Sequence, residues 1–191
     1  MKETIRCSWA ESSPLYHDYH DKEWGRPVHD DKKLFEMLIL ESMQAGLSWI
    51  TVLKKREAFR EAFDDFDPEK VALYNEEKIE KLMVNEKIIR NRLKINAAVN
   101  NAKVFLEVRK KYGSFDKMIW EYVDNTPIIG HFKKIEDIPA STPLSEKISK
   151  DLKKMGFKFI GPTTIYSFMQ SIGMVNDHMT SCFVYKELTN E

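Results

Sequence analysis

Glycine, proline and cysteine are scarce in this chain of 191 residues, which has seven glycines, seven prolines and two cysteines. So few turn-forming residues favour long helices, and two cysteines cannot supply the disulfide framework of a small secreted domain. No run of eighteen apolar residues is present, which excludes a membrane-spanning helix. The first thirteen residues carry charges and no apolar block, unlike a secretory signal. We therefore expect a cytoplasmic protein.

Net charge is also lacking, because 30 basic residues balance 30 acidic ones. This balance argues against a protein that coats nucleic acid over a long surface, but it permits a local basic footprint. Apolar residues make up 42% of the chain, enough to bury a core. At this length we expect a single domain that spans residues 1–191.

Most of the chain shows the capping residues and apolar periodicity that are typical of helices, so the predicted fold class is all-α. Asp30 and Asp31 predict the start of a helix that runs to Ala45 and ends at Gly46, and Ser48 predicts the next start. Further helices are predicted after residue 67, over 76–83, 87–111, 115–123 and 145–155, and from 162 to about 172. Residues 125–143 contain three prolines and are predicted to form a long surface connection. No β-hairpin is evident.

Four candidate metal ligands lie near the two ends of the chain: Cys7 and His20 near the start, His178 and Cys182 near the end. On a helix, His178 and Cys182 would project from one face, because they are four residues apart. Two thiolates and two imidazoles make a closed, tetrahedral zinc site of the structural type. The alternative is a core histidine and two inert buried thiols, and both interpretations remain open from the residues alone.

A turn bounded by Gly156 and Gly161 separates two predicted helices. Such a turn exposes backbone N–H groups beside the N-terminus of the second helix, which can bind a phosphate without reading the base sequence. Lysines crowd this region, at Lys147, Lys150, Lys153, Lys154 and Lys158. The pattern predicts a contact with the DNA backbone, but an ordinary helical corner with a solvated lysine face is the alternative.

A glutamate interrupts the apolar face of the helix predicted over residues 31–46. Glu41 lies seven residues after Leu34 and three after Leu38, so it points into that face. A buried carboxylate requires either a structural partner or a ligand. Five large aromatic residues lie in the first fifty positions: Trp9, Tyr16, Tyr19, Trp24 and Trp49. Aromatic walls around one acceptor suit a nucleobase, whereas the alternative is an aromatic core, which we expect for Trp24.

Four blocks of the sequence strongly resemble the DNA-3-methyladenine glycosylase I family. They are residues 19–25, 40–51 and 156–161, and the tail formed by 175–178 with Cys182. These blocks match in order and in spacing over almost the whole chain. The resemblance implies a helix-hairpin-helix DNA glycosylase in which zinc joins residues 1–25 and 174–191 into one subdomain.

The resemblance also implies roles for individual residues. Glu41 hydrogen-bonds the extruded base, Trp49 stacks on that base, and Tyr16 and Tyr19 complete the pocket. We also expect Glu41 to be the catalytic residue and Trp9, from the aromatic cluster, to bind the substrate. The implied zinc ligands are Cys7, His20, His178 and Cys182. The hairpin pattern, in turn, gives Lys158, Gly161 and Thr163 as the expected DNA contacts. Departures from the family pattern are Ser42 and Met43 in the pocket block and Pro162 after the hairpin, where Pro162 removes one N–H.

Two further residues are candidates for roles in DNA binding and catalysis. Leu47, on the turn after Gly46, is a candidate wedge that fills the stack vacated by the flipped base, and a core leucine is the alternative. Asp177 is a candidate for the sugar-facing carboxylate of other helix-hairpin-helix glycosylases. We rank it below Glu41, because its neighbour His178 is committed to zinc.

The expected activity is hydrolytic excision of 3-methyladenine from alkylated double-stranded DNA by a monomer. Thr163 stands where bifunctional relatives carry a nucleophilic lysine, so we expect an abasic site in an uncut strand. Two alternatives are a non-enzymatic DNA-binding module that uses the hairpin alone, and a zinc hydrolase. The first would lack the pocket of Glu41 and Trp49, and the second needs an open position on the metal.

Overall fold

The computed structural model describes residues 4–190, which form an assembly of helices with one short pair of strands. The helices are α1 (Pro14–Lys22), α2 (Asp31–Met43), α3 (Trp49–Lys54), α4 (Arg56–Ala62), α5 (Pro68–Val71), α6 (Glu76–Met83), α7 (Arg92–Tyr112), α8 (Phe115–Trp120), α9 (Pro143–Met155), α10 (Pro162–Ser171) and α11 (Phe183–Thr189). Short 3-10 turns cover Ser8–Ser12, Asp64–Phe66, Glu121–Val123 and Ile135–Asp137. The predicted helical fold is confirmed.

The helix starts predicted from capping residues are confirmed. The Asp30 side chain accepts a hydrogen bond from the Lys33 N–H at the start of α2, and Asn75 does the same at the start of α6. Ser114 caps α8 in the same way. These caps act within a single turn of chain, so they can be recognised from the local sequence.

Two predicted helix boundaries are wrong because neighbouring side chains override the apolar periodicity. The long helix begins at Arg92 rather than at Lys87, since the Asn91 side chain caps it by accepting from the Lys94 N–H. Helix α9 begins at Pro143 rather than near Ser145, because Thr142 and Ser145 form a reciprocal capping box.

Helix α2 ends at Met43, before the Ala45 that we predicted. A lysine from α7 explains this end: the Lys94 ammonium donates to the carbonyl oxygens of Met43 (2.9 Å) and Ala45 (2.6 Å). The carbonyls at a helix C-terminus lack intrahelical donors, and a cation there also matches the helix dipole. The helix predicted to follow Ser48 is divided at Lys55 into α3 and α4.

The connection between residues 125 and 143 pairs with a distant segment, which the sequence did not predict. Strand β1 (Ile128–Ile129) lies parallel to β2 (Val175–Asn176). The N–H groups of Ile128 and Gly130 donate to the carbonyl oxygens of Met174 and Asn176, each at 2.9 Å. This pairing fixes the chain just before the candidate ligands His178 and Cys182.

Helix α2 lies at the centre of the core, and every residue from 34 to 43 is buried. It packs against α7, α8 and α10, while α9 and α10 form a closely packed pair joined by residues 156–161. The contact between α2 and α10 brings the side chain of Glu41 beside α10. Across residues 4–190, no helix combines the length and the apolarity needed to cross a membrane.

Candidate functional site

An open pocket lies where the N-terminal helices meet α2 and α10. The aromatic residues singled out in the sequence come together here, with Glu41 among them. The lining residues are Trp9, Tyr16, Tyr19, Trp24, Glu41, Gln44, Trp49, Ser167 and Gln170.

The aromatic walls of the pocket hold one another in place. Trp9 makes edge-to-face contacts with Tyr16 and Trp24, at centroid distances of 5.3 and 5.1 Å. Tyr19 lies 5.4 Å from Trp49 on the other side. Trp24, which we expected in the aromatic core, is buried and also lines the pocket. Mutually packed rings form a rigid slot suited to a flat ligand.

Glu41 is buried in this pocket, with 4% of its surface exposed. Within the described residues, its Oε2 atom and the indole Nε1 of Trp49 have no hydrogen-bond partner. Burial raises the pKa of Glu41 to about 8, against an opposing effect of the Ser171 hydroxyl. Burial, and then the nearby Glu41 carboxylate, also raise the pKa of Tyr19. A buried acceptor without a partner indicates a carboxyl group that meets a ligand.

A groove continues from the pocket along the start of α10. Glu41, Gln44 and Ser167 line both, and the groove then passes Leu47 on one side and the residues Thr163 and Thr164 on the other. Leu47 is 41% exposed, so the alternative of a core leucine is wrong. Because Thr163, Ser167 and Gln170 share a face of α10, this helix leads from the hairpin to the pocket.

The hairpin between α9 and α10 exposes lysine side chains but only part of its backbone. All of the lysines named in the sequence are exposed: Lys147, Lys150, Lys153, Lys154 and Lys158. We expected the backbone N–H groups of this turn to be free to bind a phosphate. The N–H of Lys158 is not free, because it donates to the side chain of Asn101. At the start of α10, the first intrahelical bond runs from the Ile165 N–H to Gly161, which leaves the N–H groups of Thr163 and Thr164 without an intrahelical acceptor.

The four candidate metal ligands converge, although Cys7 and Cys182 are separated by almost the whole chain. Their side chains are buried, and the ligating atoms of Cys7, His20, His178 and Cys182 lie within 4.8 Å of one another. The distance from His178 Nδ1 to His20 Nε2 is 3.2 Å, and Cys182 Sγ lies 3.4 Å from His20 Nε2 and 3.7 Å from His178 Nδ1. A tetrahedral zinc ion would require about 3.3 Å between nitrogens and about 3.6 Å between nitrogen and sulfur. The residues therefore fit such an ion.

Further hydrogen bonds orient the ligand atoms toward one another. His20 Nδ1 lies 2.8 Å from the Asp21 carboxylate, and Nε2 of His178 lies 2.8 Å from the Trp24 carbonyl oxygen. The Met179 N–H donates to Cys7 Sγ at 3.3 Å. Outer partners of this kind fix the tautomer and ring orientation of ligating histidines.

The two thiols of the cluster shift each other's pKa values in opposite directions. A hydrogen bond from Cys7, supported by His178 and His20, lowers the pKa of Cys182. The same bond, together with burial, raises the pKa of Cys7. A bound cation would favour the thiolate form of both cysteines, because metal ligation requires deprotonated sulfur.

His178 and Cys182 do not lie on one helix. His178 lies in a loop after β2, and Cys182 precedes α11 as its N-cap. The loop bends back, so the two side chains still meet. Their four-residue spacing would place them on one face of a helix, but here the loop brings them together.

Comparisons with known proteins agree with this geometry. The family model for methyladenine glycosylase matches residues 9–185. The chain belongs to the methyladenine glycosylase family. The family resemblance seen in the sequence is thereby confirmed, and with it the prediction of an enzyme that hydrolyses N-glycosyl bonds.

Individual members of the family are similar to this glycosylase over nearly their full length. It is 50% identical over 179 residues to the DNA-3-methyladenine glycosylase of Haemophilus influenzae, covering 94% of this chain and 97% of the relative. A crystal structure of 3-methyladenine DNA glycosylase I superposes with a TM-score of 0.91 at 51% identity, covering 94% and 98% of the two chains. The structure of the Staphylococcus aureus enzyme, which describes recognition of 3-methyladenine, superposes with a TM-score of 0.90 at 43% identity. The match covers 93% of this chain and 95% of the S. aureus chain.

In this methyladenine glycosylase, Asp177 does not line the pocket. It is 2% exposed, and its carboxylate accepts hydrogen bonds from Tyr166 and from Gln170, the latter at 2.9 Å. Burial raises the pKa of Asp177. Its contacts support Gln170 behind the pocket wall, so they do not suit a carboxylate that faces the sugar.

Three polar residues of the pocket were not predicted from the sequence: Gln44, Ser167 and Gln170. Gln44 follows Glu41 by three residues, so the helical spacing could have placed it on the same face. Ser167 and Gln170 enter through the packing of α10 on α2, which no local pattern in the sequence indicates.

Proposed function

We propose that this methyladenine glycosylase flips 3-methyladenine out of alkylated double-stranded DNA and excises it by hydrolysis. The observation that carries the proposal is the unpartnered Oε2 atom of Glu41 within an aromatic pocket. Extrusion into an enclosed pocket is the general solution for chemistry on a base. The H. influenzae relative, a DNA-3-methyladenine glycosylase, and the S. aureus structure describing 3-methyladenine recognition support this substrate.

The charge of the lesion explains why so few catalytic groups are required. Methylation at N3 makes the adenine of the nucleotide cationic, so the glycosidic bond is weak and the base leaves as a neutral molecule. Little general-acid assistance is needed. The enzyme must bind the damaged nucleotide better than normal adenine and admit a water molecule to the sugar.

The burial of Glu41 allows the pocket to discriminate between the cationic damaged base and neutral adenine. With a pKa raised to about 8, its carboxyl group is mostly protonated at neutral pH in the free enzyme. A cationic base beside it favours the carboxylate, whereas neutral adenine does not. Glu41 therefore accepts hydrogen bonds from the damaged base and opposes its charge, and it binds and orients the base more than it transfers protons.

The remaining pocket residues hold the plane of the base. Trp49 stacks on it, and Trp9, Tyr16 and Tyr19 complete the walls. Leu47 fills the space that the base leaves in the duplex, since it is exposed at the end of the groove that leads into the pocket. Intercalation of an apolar side chain is a common means of stabilising a distorted duplex.

A helix-hairpin-helix element formed by α9, residues 156–161 and α10 binds the DNA backbone. Lys158 contacts a phosphate through its exposed side chain, and the segment from Gly161 to Thr163 offers the N-terminus of α10. Neither contact reads the base sequence. The hairpin therefore positions the enzyme, and the pocket selects the lesion.

One structural zinc ion per chain, held by Cys7, His20, His178 and Cys182, joins residues 1–25 to 174–191. The donor set and the spacing of the ligand atoms support zinc. With four protein ligands the ion has no open position, so it stabilises the fold and takes no part in the hydrolysis. This closed site also argues against the alternative of a zinc hydrolase.

The enzyme is monofunctional and leaves an abasic site, because Thr163 carries a hydroxyl that cannot form an imine with the sugar. We further propose that it acts as a monomer in the cytoplasm, as a single domain over residues 1–191. The DNA substrate supports an intracellular location. The confirmed glycosylase family argues against a non-enzymatic DNA-binding module.

Binding of the free base tests the pocket without DNA. Three of the four tryptophans line the pocket, so 3-methyladenine should quench the intrinsic fluorescence saturably. We expect Glu41→Ala to weaken this binding at least tenfold, or about 1.4 kcal/mol. Glu107→Ala, which removes an exposed carboxylate from α7, should bind as the wild type does. The free base is neutral, so its binding reports the stacking and hydrogen bonds of the pocket rather than the charge of the lesion. An unchanged affinity in Glu41→Ala would contradict the proposed contact between Glu41 and the base.

A further inference from the structure

A buried asparagine outside the hairpin holds the backbone of the hairpin. Asn101 lies on α7 and is fully buried. Its Nδ2 donates to the carbonyl oxygen of Lys158 at 2.8 Å, and its Oδ1 accepts from the N–H of Lys158, also at 2.8 Å. One amide side chain thus satisfies both backbone groups of the residue that carries the proposed phosphate contact.

The tip of the hairpin consists of Lys158 and Phe159, which are exposed between the buried residues Phe157 and Ile160. Phe159 has a φ of +56°, in the left-handed region that bulky side chains rarely occupy. Such a conformation persists only where the surroundings determine it. The bonds of Asn101 fix the residue before Phe159, and the Ser149 hydroxyl, which donates to the Ile160 carbonyl oxygen at 2.6 Å, fixes the residue after it.

We infer that Asn101 is a positioning residue for DNA binding, which holds the hairpin tip in the conformation that presents Lys158 and the N-terminus of α10 to the DNA backbone. The inference rests on the proposed function of the hairpin. A tip that is already ordered loses little conformational freedom when DNA binds. Without Asn101, the same ordering would take place during binding and would lower the affinity.

The inference predicts a selective loss of function. Asn101→Leu keeps the size of the side chain and removes both hydrogen bonds to Lys158. We expect this variant to bind damaged and undamaged duplexes about tenfold more weakly, because two hydrogen bonds to the tip are lost. Its affinity for free 3-methyladenine should be unchanged, since none of residues 156–161 lines the base pocket.

A double-mutant cycle with Lys158 separates positioning from general destabilisation. Lys158→Ala alone should weaken binding to both duplexes and reduce the salt slope by about one unit. In the Asn101→Leu background, we expect the cost of Lys158→Ala to shrink at least about threefold, because the side chain is no longer held toward DNA. Val108→Ala, a buried substitution on the same helix, provides the control for lost stability and should show no such coupling.

A second variant guards against a failure of Asn101→Leu to fold. Asn101→Asp retains the acceptor for the Lys158 N–H and loses only the donor to the Lys158 carbonyl oxygen. The double-mutant cycle of Asn101→Asp with Lys158→Ala should show a coupling of the same sign as that of Asn101→Leu, but smaller. Additive effects of Asn101 and Lys158 would overturn the inference while leaving the proposed role of Lys158 intact. If Lys158→Ala leaves DNA binding unchanged, the hairpin part of the proposed function fails, and the inference fails with it.

Discussion

Nε2 of His178 lies 2.8 Å from the carbonyl oxygen of Trp24, and the two rings make an edge-to-face contact at 4.7 Å. One residue therefore belongs to the candidate zinc cluster and also supports a wall of the base pocket. Trp9 extends the same connection, because it lies 5.3 Å from the ring of His20 and 5.1 Å from Trp24. The buried cluster therefore contacts the pocket wall directly, through Trp24 and Trp9.

Loss of a zinc ligand should therefore affect stability, metal content and base binding together. We expect Cys7→Ser to bind less than a full equivalent of zinc and to lose about 3 kcal/mol of stability, or about 6–12 °C in Tm. Its affinity for free 3-methyladenine should also fall. Elemental analysis, calorimetry and fluorescence titration measure the three effects. His29→Gln, which replaces an exposed histidine outside the cluster, serves as the control. Wild-type protein that contains no zinc when purified without chelator would refute the proposed zinc site.

Replacement of Glu41 should stabilise the protein. The folded-state pKa of about 8 lies above the ordinary value of 4.5, so the folded state is penalised progressively as the pH rises from about 4.5 to 8. Glu41→Gln removes the buried ionisable group. We expect a gain of about 1 kcal/mol or more at pH 8, or about 2–4 °C in Tm, and little gain at pH 4. Thermal melts at both pH values measure the difference, and equal melting temperatures for the two proteins at pH 8 would speak against a raised pKa.

Base excision should depend on pH through the same group. Below its pKa, Glu41 is protonated and lacks the charge that opposes the cationic base. We expect kcat/KM to rise by up to about tenfold per unit between pH 6 and 8 and then to level off. The rate of spontaneous base loss, measured without enzyme, is subtracted at each pH. Glu41→Gln should give a flat, low profile, whereas a rise that persists in this variant would assign the pH dependence to another group.

The strand should remain uncut after excision. Water is the expected nucleophile, because Thr163 occupies the position at which a lysine would form an imine with the sugar. Borohydride reduces such an imine to a stable cross-link, so denaturing electrophoresis after borohydride treatment reveals it. We expect no protein–DNA adduct, with strand breaks only after alkali. A trapped adduct with the pure enzyme would show that the glycosylase is bifunctional.

Features encoded within a single helical turn were predictable from the sequence. The caps at Asp30, Asn75 and Ser114 are of this kind, as is the inward position of Glu41 on α2. The early end of α2 was not predictable, because the lysine that caps it, Lys94, comes from α7 and is 51 residues from Met43.

Likewise, only some residues of the candidate site were predictable from the sequence. The aromatic residues and Glu41 were found because they are concentrated in the first fifty residues, whereas Gln170 and Asn101 act through packing between distant helices. The four candidate ligands were identified by residue type, whereas the loop that brings His178 to Cys182 was not predicted from the sequence. Contacts between elements distant in sequence leave no periodic signal, so Gln170 and Asn101 were found neither from a local pattern nor from the resemblance to a known family. The resemblance added most for the four candidate ligands, which it implied as one set.

Release of the base from DNA tests the central claim most directly. Pure enzyme is incubated with duplex DNA that has been methylated with a radiolabelled methyl donor, and the released bases are separated chromatographically. We predict that 3-methyladenine is the main released base, and that Glu41→Ala lowers its rate of release at least about a hundredfold, or about 2.7 kcal/mol. Release of other methylated bases without 3-methyladenine, or release at the wild-type rate by Glu41→Ala, would contradict the account.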